Sequence, residues 1–333
     1  YFGGGYDGGF PGRRSTMDKV TYASDTTAAV PGAALSVLRI GAAGSSARAN
    51  ALPQPPAATP TPQTSLATAP TPNTGYFGGG SPTASTMDKV TYASDTTAAV
   101  PGANLSLARY GLAATGNSTA GYFGGGEPGP RSTMDKVTYS SDTTAAVPGA
   151  TISPRSSLAA TGNSTAGYFG GGGFYGVHST MDKVTYSSDT TAAVPAARLS
   201  AARYLLAATG NSTNGYFGGG NGPRSTMDKV TYSSDTTAAI PGANLSVGRS
   251  ALAATGNSTA GYFGGGTPGP KTTMDKVTYS SDTTAAVPGA FLSVGRSYLA
   301  ATGNSTAGYF GGGNPISSTM DKIDYATDTR LAA

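Results

Sequence analysis

The side chains able to do chemistry in this chain are few, and most of them recur. An Asp-Lys dyad, first seen as Asp18-Lys19, appears seven times, always after Thr-Met. Such a dyad could serve as an acid/base pair. Seven identical copies argue instead for a structural ring of turn and inter-repeat contacts, because an active site needs one unique constellation. The single histidine, His178, has no cysteine and no second histidine to join it. That disfavours a transition-metal site or histidine-dependent catalysis. Without cysteine there is no thiol nucleophile, disulfide framework or cysteine zinc site, and no acid-rich calcium loop is present. The glycine triplet after each Tyr-Phe lacks the Gly-Lys-Ser/Thr ending of a phosphate loop and reads as strand glycine. Asn-Ser-Thr at Asn117, Asn163, Asn211, Asn257 and Asn304 matches a glycosylation sequon and is read here as a turn. These features point away from an enzyme and imply no cofactor.

The elements that must position these residues are repeats. The seven methionines are Met17, Met87, Met134, Met181, Met227, Met274 and Met320, spaced by 70, 47, 47, 46, 47 and 46 residues. A period in the forties signals a propeller, a solenoid or a helical array. Around Met134 the pattern is β throughout. Leu112-Ala-Ala-Thr is a weak first strand, and Gly116-Asn-Ser-Thr119 a turn. Gly121-Tyr-Phe-Gly124 is a second strand, and Asp135-Lys-Val-Thr-Tyr139 an alternating third. Ser141-Asp-Thr143 turns the chain, since Ser and Asp bond their own backbone. Ala145-Ala-Val-Pro-Gly149 reads as a fourth strand ended by Pro-Gly. No window shows a helical face. Four short strands repeated seven times predict an all-β, seven-bladed propeller of four-stranded antiparallel blades occupying 1–333 as one domain, with a β-solenoid as runner-up. Burial of each large aromatic in the Tyr-Phe pairs contributes about 1.5–3 kcal/mol before entropy.

An aromatic pair running into glycines, a DKVxY strand, an Asp-Thr turn and a P…R segment resemble the kelch repeat over nearly the whole chain. Kelch units usually carry Trp after the Asp-Thr turn, and this chain has none, so "kelch-like" is the fitting term. The wording YFGGG…STMDK…LAATGNST also resembles repeat proteins of marine phages of cyanobacteria, including tail-associated virion proteins. That resemblance implies a virion or extracellular location, virion or surface-assembly proteins as partners, and a structural or host-contact role.

The first unit begins at its second strand, at Tyr1-Phe2-Gly3, so the chain is expected to be processed or to be the ordered part of a longer polypeptide. Arg330-Leu-Ala-Ala333 is either a shortened fourth strand or the missing first strand. Either way, the termini are expected side by side in a composite blade. The spacing of 70 leaves a Pro/Thr-rich insertion at 41–65 between blades 1 and 2, expected as an extended loop before a first strand that resumes at Leu66. No stretch is long and apolar enough to span a membrane. The net charge of +4 is too mild to imply nucleic-acid binding by itself.

Sequence differences are not evenly spread. The turns after the first and third strands are nearly fixed. The loop after the second strand reads YDGGFPGRR, SPTA, EPGPR, GFYGVH, NGPR, TPGPK or NPIS, and the segment after the fourth strand varies too. In an up-and-down blade these two loops share one face, and the 41–65 insertion is expected with them. The variable segments hold Tyr6, Phe10, Tyr110, Phe174, Tyr175, Tyr204, Phe291 and Tyr298, with Arg13, Arg14, Arg131, Arg198, Arg224, Lys271 and His178. Aromatic faces beside arginines suit sugar rings, acidic glycans or a protein partner. The bland alternative is that loops drift while strands do not. Arg39, Arg109, Arg155, Arg203, Arg249 and Arg296 recur in register and are expected to pair with a fixed Asp. The function expected is non-enzymatic: a variable face for adhesion to host-surface glycan or for docking. A purely structural subunit is the alternative, and a propeller-type enzyme a weaker one.

Overall fold

Each repeat folds as an antiparallel meander because its apolar residues fall in short blocks separated by glycine, Asn-Ser or Ser-Asp turns. The structure, a computed structural model, describes residues 2–6, 13–21, 26–29, 43–46, 74–79, 83–91, 96–129, 131–173, 175–298, 300–303, 307–311, 314 and 320–331. Among the described residues, six four-stranded sheets and one three-stranded sheet follow one another along the chain, each pairing its strands in sequence order. The third sheet is representative: Ala113–Gly116, Ala120–Gly124, Met134–Thr138 and Thr143–Ala146. Its register pairs Ala113 with Gly124, Gly124 with Met134, and Asp135 with Ala146.

Burial peaks at the second strand of the sheet and is least at the fourth. The second strand is buried along its whole length, whereas the fourth is mostly exposed. The first strands of the second to seventh sheets lie each against the next. The core therefore sits between sheets. Tyr122 and Met134 of the third sheet pack with Phe169, Val184 and Tyr186 of the fourth, and equivalent clusters recur along the row. Gly124 permits this approach: a Cβ there would stand 2.8 Å from Met134 Cε and 3.1 Å from Phe169 of the next sheet.

Two expectations need correction, and one open alternative is decided. The fourth strand is Thr143–Ala146, and Pro148–Ala150 forms a 3-10 turn. Proline cannot donate to a ladder, so the strand ends before it. The C-terminal Thr329–Leu331 completes the seventh sheet as its fourth strand, and the first sheet holds three strands among the described residues. Lastly, the first strand of the second sheet is Ala43–Ser46, paired with Thr74–Gly78. It lies inside the stretch assigned to the insertion, and Leu66 does not begin it. Arg39-Ile-Gly-Ala-Ala matches Arg109-Tyr-Gly-Leu-Ala in register, which puts Ala43 where Ala113 stands. The extra length thus separates the first two strands of that sheet, at the end opposite the variable loops. The Pro-rich residues 51–63 themselves lie outside the described residues.

Candidate binding face

A fixed ion pair anchors each variable segment to its sheet. Arg203 Nη2 donates to Asp228 Oδ2 at 2.6 Å and to the Phe217 carbonyl at 3.0 Å. The same pair recurs as Arg109–Asp135, Arg155–Asp182, Arg249–Asp275 and Arg296–Asp321, all at 2.5–2.6 Å. The arginine comes from the segment entering a sheet, and the Asp from that sheet's third strand. All five guanidinium side chains are fully buried. Burial pulls their pKa values down while the facing Asp pushes them up. A guanidinium stays charged in a protein regardless. The expected pairing with a fixed Asp is thus present in five sheets.

A second fixed constellation joins neighbouring sheets. Lys183 of the fourth sheet reaches Asp235 of the fifth at 2.7 Å. The Tyr168 hydroxyl donates to the same carboxylate, and its ring stacks on Tyr232 with centroids 4.9 Å apart. Asp235 adopts a positive φ of 53°, a conformation Asp tolerates in a tight turn. These contacts repeat at Lys89–Asp142, Lys136–Asp189, Lys229–Asp282 and Lys276–Asp328. They assign the recurring lysine and turn aspartate to sheet-to-sheet contacts.

Above this framework the variable loops touch one another through their backbones. Ala84 bridges Arg109, Tyr110 bridges Glu127, Ser156 bridges Gly173, Arg224 bridges Arg249, Lys271 bridges Arg296 and Ser297 bridges Asn314. Each segment between sheets is thus flanked by the preceding sheet's variable loop and the following one. The glycines make room: Gly125 has φ +74°, and a Cβ on it would lie 2.6 Å from the Arg155 carbonyl. The two variable loop types form one continuous seam from the second sheet to the seventh.

The structure brings most of the expected residues onto this seam and separates others. Tyr175 projects from the fourth sheet's loop, 88% exposed, and Tyr298 is 61% exposed. Arg198 is exposed and follows the 3-10 turn Pro195–Ala197. Arg131, His178, Arg224 and Lys271 are half-buried, and each backbone carbonyl accepts from the amide of the next fixed arginine. Phe291 instead packs against the hydrophobic cluster of Leu292, Phe310 and Tyr325, so its ring serves packing. Arg13 and Arg14 belong to the strand Arg13–Thr21, where Arg13 pairs with Tyr6. Phe10 and Phe174 lie outside the described residues. The sequence reading missed Glu127, which accepts from the Ser156 hydroxyl at 2.7 Å. Its hydrogen bond with Tyr110 pushes that phenol's pKa up. It also missed Leu107, Val247 and Val294, exposed apolar residues near the fixed arginines of three segments.

At the opposite end one turn recurs among the described residues. Asn163 Oδ1 accepts from the Thr165 amide and hydroxyl, and the same turn recurs at Asn117, Asn211 and Asn257. A recess of about 410 Å³ there is lined by Asn117, Thr119, Ser164, Thr165, Lys183 and Ser187, among others. Among the described residues there is no group of three His, Cys, Asp or Glu able to hold a metal ion. No family profile matches the chain, and no curated protein is significantly similar to it.

Proposed function

We propose that the chain is a non-enzymatic, kelch-like propeller whose seven blades close into a ring and whose variable face serves adhesion to a host-surface glycan or docking. The repeating four-stranded sheets and their adjoining first strands support the ring. The observation that carries the functional reading is the physical continuity of the two variable loop types above a framework of repeated ion pairs. Drift alone would leave all four connection types free to vary, whereas the loop-to-loop differences gather at one end of the sheets, the extra length of the second sheet apart. A virion or other extracellular assembly is the setting this reading requires, with other assembly proteins at the opposite end.

A glycan array tests the reading. The chain binds a restricted set of glycans, and Tyr175→Ala weakens that binding while leaving thermal stability unchanged. Absence of glycan binding sinks it. Particle images viewed down the axis show seven units in a closed ring; an open arc or another number refutes the ring. A purely structural subunit is the second reading, favoured by the exposed Leu107, Val247 and Val294, which suit a protein contact more than a sugar. Burial of the variable face inside a native assembly decides for it.

A further inference from the structure

The charge of this chain is distributed in a way that singles out the seam. The recurring Asp-Lys dyads, turn aspartates and fixed arginines nearly cancel. Among the described residues the variable loops carry Arg131, Arg198, Arg224 and Lys271 against Glu127, a surplus of three out of the whole chain's +4. Positive charge collected on one face raises the local concentration of anionic ligands and speeds their capture.

At two places on the seam this charge is doubled over buried, unsatisfied donors. The Arg224 amide bonds the Gly220 carbonyl at 3.2 Å, and a Cβ on Gly220 would lie 2.9–3.2 Å from the Arg203 side-chain carbons. Arg224 therefore starts beside the stem of Arg203. Arg131 repeats the arrangement over Arg109, through Gly126. Arg203 Nε and Nη1, Arg224 Nε, Arg109 Nε and Arg131 Nε are all buried without a hydrogen-bond partner; Arg155 Nε and Arg249 Nε are too, so what marks these two places is the second guanidinium with its own orphaned Nε. Buried donors of charged groups are costly to leave unmade. Asp228 and Asp135 answer only one guanidinium at each place. Glu127 is turned towards Ser156 and Tyr110, and the fifth sheet carries Asn221, with its amide donating to the Tyr204 carbonyl, in the corresponding loop. The second guanidinium adds to the effect of burial in lowering the pKa of Arg109 and of Arg203. An anion placed between the two would relieve this repulsion and satisfy the free donors.

The two arginine pairs belong to the third and fifth sheets. Between them, on the fourth sheet's loop, stands Tyr175, 88% exposed. We propose that Arg203–Arg224 and Arg109–Arg131 are the anion-reading positions of the variable face, and that its ligand is an acidic polysaccharide carrying sulfate or carboxylate groups at regular intervals. This rests on the adhesion reading above. A linear polymer crossing from one pair to the other passes over the Tyr175 ring, whose face suits a sugar. Guanidinium forks bind planar oxyanions in pairs of hydrogen bonds. Arg131 and Arg224 shift to admit the anion, because the donors beneath them are covered in the unliganded chain.

Binding of the full chain to immobilised dextran sulfate, alginate and neutral dextran tests the proposal. One or both acidic polymers bind, the sulfated or the uronate arm naming the anion, and neutral dextran does not. Arg131→Gln and Arg224→Gln each lower affinity about tenfold or more and reduce its salt dependence, with the melting temperature as a check on folding. Lys183→Gln removes the same charge at the opposite end, where Lys183 lines the recess, and leaves binding unchanged. An equal effect of Lys183→Gln, or none from the seam variants, overturns the proposal. Binding of neutral glycans alone, abolished by Tyr175→Ala, overturns it while leaving the adhesion reading intact. Tighter binding of single-stranded DNA or poly-glutamate than of either acidic polysaccharide overturns the polysaccharide assignment. No binding to these polymers or to a glycan array removes both.

Discussion

Arg203 and Asp228 meet at 2.6 Å with both side chains wholly buried, joining the segment that enters the fifth sheet to that sheet's third strand. Asp228 also accepts from the Ser200 amide. One carboxylate therefore holds the variable segment both at Arg203 and at Ser200 before it, which explains how the loop sequence can change while its path does not.

Removing one partner leaves the other charged and buried. Arg203→Met will destabilise the chain by about 3–5 kcal/mol, measured by urea unfolding. Arg203→Met combined with Asp228→Leu will recover most of that loss, because an apolar pair has no desolvation penalty. A double variant as unstable as the single one contradicts this account.

The junction pair is different in kind. Lys183 and Asp235 are partly solvated, with side chains 27% and 34% exposed. Lys183→Met will cost about 0–1 kcal/mol, and the effect will shrink in high salt. Tyr168→Ala will cost about 3–5 kcal/mol, since that ring is buried and stacked on Tyr232. Thermal melts of the two variants at low and high salt separate the contributions.

The pH response follows from the same contacts. Burial, reinforced by the hydrogen bond to a turn Asp, pushes the pKa values of Tyr122, Tyr168, Tyr216 and Tyr262 well above the ordinary 10.0. Burial does the same for Tyr186, Tyr232 and Tyr279. A phenol with a raised folded pKa contributes stability that is complete below pH 10.0 and is lost as the pH climbs beyond it. Absorbance at about 295 nm will therefore show delayed ionisation, followed by a steep rise that coincides with unfolding. Gradual ionisation without unfolding rules this out.

At the acid end the sign reverses. Burial opposes ionisation of Asp189 and Asp235. Hydrogen bonds from Lys136 and Tyr122, and from Lys183 and Tyr168, outweigh it and hold both below the ordinary 3.8. Their contribution is present above pH 3.8 and disappears as the pH falls through the depressed values. Asp235→Asn will flatten the acid limb of the stability curve; an unchanged limb refutes this.

Close packing between sheets sets a volume limit. Gly124→Ala puts a methyl 2.8 Å from Met134 Cε and 3.1 Å from Phe169. It will cost about 1–3 kcal/mol through overpacking. The cost will fall in a Met134→Ala background, where the thioether no longer competes for the space.

Much of this was legible in the chain itself. Strand order and turn positions were readable because they depend on local hydrogen bonding, which leaves a periodic trace: Tyr-Phe-Gly, Asp-Lys-Val and Asn-Ser-Thr return at every unit. The fixed Arg–Asp pair was also within reach, since both partners recur in register. Contacts between sheets were not. Lys136 finds Asp189 across 53 residues, and nothing local to either distinguishes a neighbouring sheet from its own. Only tertiary packing decided that Phe291 serves the core, that Arg131 stands over Arg109, and that the extra length of the second sheet follows Ala43–Ser46. Sequence determines the repeat because backbone pairing is local. The face it builds is decided by packing, where side chains far apart in the chain compete for the same buried space.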